Sequence, residues 1–160
     1  LEHGYYVADL ITEALGGGSS SRLYQALVKE KQLFSAIECY HFGSVEKGLL
    51  AIEGKLVKGV RMEDAEKAVE EELKKIKEEG ISETELTKIK NRTESAIAFE
   101  DMSVMARADS LAFYELLGDA NLFNEDREKY FSVSSEDILN YSRKIFDVNN
   151  SNTLCYYSKN

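Results

Sequence analysis

Leu15-Gly16-Gly17-Gly18-Ser19-Ser20-Ser21-Arg22-Leu23-Tyr24 is the stretch on which the fold turns. Three glycines end one helical pattern and three serines open another, so the chain reverses between two amphipathic segments. Glycine takes positive φ and lets backbones approach closely, and a serine hydroxyl accepts an orphan N–H at a helix start. On chemistry alone two readings stay open. The segment is a plain interhelical turn, or a helix N-terminus presented to a group carrying negative charge or free carbonyls.

Working outward, Tyr5, Tyr6, Ala8, Leu10, Ile11 and Leu15 predict an amphipathic helix that stops at the glycines. On the other side a second helix from Ser20 carries the stripe Leu23, Tyr24, Leu27 and Val28, with a cationic end at Lys29 and Lys31 that suits the helix dipole. The period then changes to two. Ile37, Cys39 and His41 alternate with Glu38, Tyr40 and Phe42, and Leu50, Ile52, Gly54 and Leu56 alternate with Ala51, Glu53 and Lys55, an antiparallel hairpin joined at residues 43–48.

Farther along, Ala65, Ala68, Val69, Leu73 and Ile76 predict a helix over 62–79, capped at Gly80. Ser82 to Glu85 fits a capping box opening a helix through Leu86, Ile89 and Ile97, with a break near Glu100 and Asp101. Further helices are expected over 105–116, 122–130 and 134–146, and a strand over 153–157. The fold class is therefore α+β, two-layer, with helices packed on one face of a mainly antiparallel sheet. Three strands are few for so many helices. Leu1 also begins inside what reads as running sequence. Residues 1–160 are accordingly expected to be a single domain of a longer protein, with strands missing at its start and an open sheet edge prone to edge-to-edge self-association.

The 160 residues are enough for one domain with a real core, and 43% hydrophobic with 31% charged residues is an ordinary soluble composition. A net charge of −9 argues against nucleic acid, whose phosphates need a basic face, and suits solubility or a basic partner. No apolar run approaches the roughly 20 residues needed to span a bilayer, and no targeting segment is visible, so the compartment is left open. Cys39 and Cys155 are too few for a disulfide framework or a metal knuckle. Both lie in apolar, strand-like surroundings, where buried thiols are expected.

Catalytic motifs are sparse. Only His3 and His41 are present, and neither belongs to a His-x-x-Glu-His or His-Glu-x-x-His helix. Cys39 and His41 are the closest nucleophile–base pair on one strand face, with no third group to activate them. The acidic runs Glu70-Glu71-Glu72 and Glu78-Glu79 are expected on solvated helix faces, without shifted pKa values. Asn91-Arg92-Thr93 is formally a glycosylation triplet but falls in mid-helix.

The order of several short motifs carries more. Leu15-Gly16-Gly17-Gly18, Ser21-Arg22-Leu23-Tyr24-Gln25 and Lys29-Glu30-Lys31-Gln32-Leu33-Phe34-Ser35 are followed by Gly48-Leu49-Leu50-Ala51-Ile52. Then come Ile81-Ser82-Glu83-Thr84-Glu85-Leu86, Ala106 to Gly118, and Ser134-Ser135-Glu136-Asp137-Ile138. Collinear over nearly the whole chain, they resemble the second, non-catalytic domain of the pitrilysin/insulinase family of zinc peptidases. The resemblance implies a division of labour. A first domain or partner subunit, absent here, holds zinc and the general base, and this C-terminal domain closes a chamber over an extended peptide substrate. No cofactor belongs to this chain itself.

On that basis the residues expected to touch peptide are Gly16, Gly17, Gly18, Ser19, Ser20 and Arg22. Active family members often place an Arg and a Tyr seven residues apart after this loop; here those positions are Val28 and Ser35, leaving Lys29 and Tyr40 as the nearest substitutes. The departure also admits a non-catalytic assembly subunit of the same fold.

Overall fold

In the computed structural model, which describes residues 1–43 and 48–157, helix α1 (His3–Gly16) lies against one face of a two-stranded hairpin formed by β1 (Phe34–Phe42) and β2 (Leu49–Leu56). The expected α+β arrangement is present. Tyr6 and Val7, Leu10 and Ile11, and Ala14 and Leu15 are all buried, a two-wide stripe at the helical repeat. The strands pair antiparallel, with Ile37 opposite Gly54, Cys39 opposite Ile52 and His41 opposite Leu50. A register shift between Phe34 and Ala36 supplies the odd step that lets Phe34 and Ile37, three residues apart, both turn inward.

Between α1 and β1 the chain makes a wide turn rather than a plain α-helix. After one turn at Arg22, residues Tyr24–Glu30 are π-helical, and the Lys31 amide reaches back five residues to the Ala26 carbonyl at 2.9 Å. Leu23 and Leu27 are both fully buried, and Gln32, at φ 53, turns the chain out into β1.

Helix α2 (Met62–Glu79) buries Ala65, Ala68 and Ile76 and ends at Gly80, whose φ of 67 suits glycine. One carboxylate of the acidic run departs from expectation: Glu72 is buried, with the Lys75 ammonium 2.6 Å from its Oε1. Helix α3 (Glu83–Glu100) is capped by Ser82, which accepts from the Glu85 amide, but the reciprocal half of the capping box is missing because the Glu85 carboxylate is taken by Arg22. The break near Asp101 leads to α4 (Val104–Leu116), α5 (Leu122–Ser132) and α6 (Ser135–Ile145), the last with a complete capping box between Ser134 and Asp137.

Two tyrosine–aspartate pairs tie α5 to α1. The Tyr6 hydroxyl donates to Asp126 Oδ1 and the Tyr130 hydroxyl to Asp9 Oδ2, each at 2.6 Å, and the two rings meet edge to face at 5.0 Å. The tail corrects two expectations. Residues 153–157 form no strand, since an alternating pattern makes a strand only beside a partner edge. Leu154 is 96% exposed, and Cys155 is exposed rather than buried. Most of the expected hairpin joint lies outside the described residues. Among the described residues no helix is long and apolar enough to cross a membrane.

Candidate functional site

The glycine turn is built by the end of α1 driving into β1. Gly16 packs so tightly on the strand that a β-carbon there would stand 2.1 Å from the Cys39 amide nitrogen. Gly17 is buried, and its amide donates to the Glu13 carbonyl at 3.0 Å. Gly18 takes φ 82, the left-handed region that favours glycine. Its carbonyl accepts from both the amide and the hydroxyl of Ser21, at 3.1 and 2.7 Å. Ser21 therefore closes the turn as a donor instead of capping the next helix as an acceptor.

Beside this turn lies an open groove of about 420 Å³. Gly16, Gly17, Gly18 and Ser19 form one wall, and consecutive residues 35–40 of β1 form the other. Six consecutive strand residues put both inward- and outward-facing positions on the groove, so it follows an edge of β1. Among the described residues β1 pairs with β2 alone, leaving its other edge unpaired.

At one end of the groove Glu13 and Arg92 stand across the glycines. The Arg92 Nε lies 3.4 Å from Glu13 Oε2, an oxygen buried without a hydrogen bond, and Arg92 makes no hydrogen bond of its own among the described residues. Tyr40 lines the groove from the outward face of β1. Its hydroxyl donates to Glu53 Oε2 at 2.9 Å, which raises the phenol pKa and keeps the proton on oxygen. The Cys39 thiol beneath is pushed up to about 12 by burial, so it is a packing group and not a nucleophile.

The structure thus gathers Gly16, Gly17, Gly18, Ser19 and Tyr40 around one groove and leaves three expected residues outside it. Ser20 is exposed and does not line it. Arg22 is a structural anchor: its guanidinium holds Glu85 through two bonds of 2.9 and 2.7 Å and the Gly80 carbonyl at 3.0 Å, pinning the turn to the start of α3. Lys29 does not line it, although its ammonium sits 5.7 Å over the ring of Tyr24, which does. Val28 packs half-buried against the core, and the Ser35 hydroxyl donates to the Lys55 carbonyl at 3.0 Å. Sequence reading missed Glu13, Tyr24 and Arg92. Arg92 carried no signal, because its pairing spans most of a hundred positions of chain.

The residues present do not fit a zinc ion. His3 faces Asp137 and His41 faces Asp9, each at 3.4 Å, in separate places. Among the described residues no three His, Cys, Asp or Glu side chains converge, and zinc needs three or four protein ligands.

A helical layer on an antiparallel hairpin is a fold shared with solved structures of proteases and their domains. A protease from Helicobacter pylori superposes with a TM-score of 0.80 at 23% identity, over 89% of this chain and 34% of that one. The inactive peptidase domain of a candidate zinc protease from Bordetella parapertussis does so at 0.80 and 20% identity, over 89% and 78%. The chain belongs to the family of peptidase M16 inactive domains, whose model matches residues 2–93. The uncharacterized zinc protease YmxG of Bacillus subtilis is 25% identical over 138 residues, 86% of this chain, which spans about a third (34%) of that relative's length.

Proposed function

We propose that this domain is the zinc-free half of a metallopeptidase and holds an extended peptide along the open edge of β1. In this reading zinc and hydrolysis are supplied by a separate domain or subunit. The carrying observation is the groove itself, which pairs an unpartnered strand edge with a glycine turn whose lack of side chains lets a second backbone approach. An extended peptide satisfies such an edge through main-chain hydrogen bonds, which gives affinity with little demand on sequence. Arg92, which makes only a 3.4 Å ion pair to Glu13 and no hydrogen bond among the described residues, is placed to take a peptide carbonyl or carboxylate, and Tyr40 to flank a side chain.

The test is binding of fluorescein-labelled unstructured peptides to the 160-residue chain, followed by anisotropy. Arg92→Ala should weaken binding by about tenfold, the loss of one charge-assisted contact, with the melting midpoint unchanged. Equal affinity in Arg92→Ala and Tyr40→Ala would sink the reading. Zinc-loaded, the isolated chain should show no chelator-sensitive cleavage of the same peptides.

A second reading, assembly subunit without a role in catalysis, is favoured by Val28 and Ser35. One packs half-buried against the core and the other is tied to Lys55, so neither donates into the groove as the resembling family's Arg and Tyr would. Upstream sequence decides between the two readings, because a His-x-x-Glu-His helix there, or on a partner subunit, supports the peptidase.

A further inference from the structure

Two arginines serve the glycine turn, and only one of them is saturated. Arg22 is held by the Glu85 carboxylate and the Gly80 carbonyl through three hydrogen bonds. Arg92, on α3 and half-exposed, makes no hydrogen bond among the described residues, and Glu13 lies 3.4 Å from its Nε. That ion pair occupies the Nε side alone. The terminal nitrogens lie over the turn, Nη1 3.0 Å from the place a β-carbon would take at Gly17 and Nη2 3.1 Å from the place it would take at Gly18. Side chains at those two positions would press on the guanidinium, and glycines leave that side of it clear of the turn.

Further donors stand at the same end of the groove. Among the described residues neither the amide nor the hydroxyl of Ser19 makes a hydrogen bond, while the Ser19 carbonyl is held by the Gln25 side chain. Tyr24 also lines the groove, and the Lys29 ammonium over its ring places a second positive charge behind the lining. The other carboxylate of the lining lies on the strand wall: Glu38 is directly opposite Glu53 across the hairpin, a like charge already facing it. An anion entering the groove is therefore disfavoured at β1 and received at the Arg92 end. A guanidinium offers parallel N–H groups at the spacing of two carboxylate oxygens, a fit that a single carbonyl oxygen meets only in part.

We propose that the glycine end of the groove selects peptides that carry a carboxylate, taken by the Nη1 and Nη2 side of Arg92 with Ser19 as a further donor. The carboxylate belongs to the peptide's C-terminus or to an aspartate or glutamate side chain. This inference rests on the reading of the groove as a peptide site, and adds a preference that a bare strand edge does not have.

The probes are acetylated peptides of alanine and threonine about eight residues long, titrated unlabelled into the 160-residue chain by calorimetry. One ends in a free carboxylate and one in an amide, and two further amides carry a central glutamate or a central glutamine. A carboxylate should tighten binding about tenfold over the matched neutral peptide, and the pair that shows the gain identifies the source, terminus or side chain. The gain should shrink as salt rises. Arg92→Gln should abolish it with the melting midpoint unchanged. Arg61→Gln, which removes an exposed guanidinium that is bonded to Asp64 and does not line the groove, should leave it intact. Equal affinity of all the peptides, with Tyr40→Ala still weakening them, would overturn the inference while the strand-edge reading stands. A gain that survives Arg92→Gln, or that Arg61→Gln removes equally, would overturn it as well. Failure of every peptide to bind would instead remove the peptide site, and the inference with it.

Discussion

A β-carbon at position 16 would collide with the backbone of Cys39, and the strand has no room to yield because β2 holds it from the far side. Gly16→Ala should therefore cost about 3 kcal/mol, the upper end for overpacking, read as a lower urea midpoint. Gly18→Ala should cost less, about 1–2 kcal/mol, because its penalty is the left-handed φ and its nearest neighbour is the mobile end of Arg92. Equal stability of Gly16→Ala and the parent would refute the close packing. The two cysteines separate just as sharply. Cys155 should react with a thiol reagent within seconds to minutes, while Cys39, buried and with its thiol near 12, should label only on unfolding. Sequence reading saw that glycines were needed here, since three in a row have few other uses. It could not see that the first of them presses on a residue 23 positions ahead, because that contact exists only once α1 lies on β1.

At the scale of elements, hydrophobic period located nearly every helix and the hairpin, because each buries a stripe that recurs at 3.6 or 2 residues. What escaped were features set by a neighbour. The π-helical turn over Tyr24–Glu30 has no compositional mark. Glu72 is buried by its place on α2, and the tail remains unpaired however strand-like its alternation. The tie between α1 and α5 belongs to this class, since Tyr6 and Asp126 stand 120 residues apart. Tyr130→Phe should cost about 1.5–3 kcal/mol, the usual worth of a hydrogen bond to a charged group, and Tyr6→Phe about the same. Hydrogen exchange in α5 should accelerate in both variants, and protection equal to the parent's would show that the pairs contribute nothing to docking.

For the molecule as a whole, the same buried groups set its behaviour in alkali. Cys39 rises from 9.0 to about 12 through burial, and Tyr6 and Tyr130 are raised by burial together with Asp126 and Asp9. A raised folded value favours the neutral form in the native state. The stability it contributes is full below the unfolded value and disappears as pH climbs through the folded one. Stability should thus hold to about pH 9 and fall steadily toward pH 12, with Cys39 alone accounting for about 4 kcal/mol. Cys39→Ala should flatten the first part of that decline, measured by urea unfolding at stepped pH. Chelation at neutral pH should leave the melting midpoint unchanged, since among the described residues no donor set is gathered for an ion.

The edge of β1 that no strand pairs among the described residues bears on the handling of the protein in concentrated solution. A strand edge without a strand partner does not distinguish the backbone of a peptide from the β1 edge of another molecule. If that edge holds peptide as proposed, the same edge would offer a route to fibrils, and the two uses would compete for one surface. Saturating the edge with a short extended peptide should lengthen the lag before thioflavin-positive aggregates form, so that ligand and colloidal stability rise together.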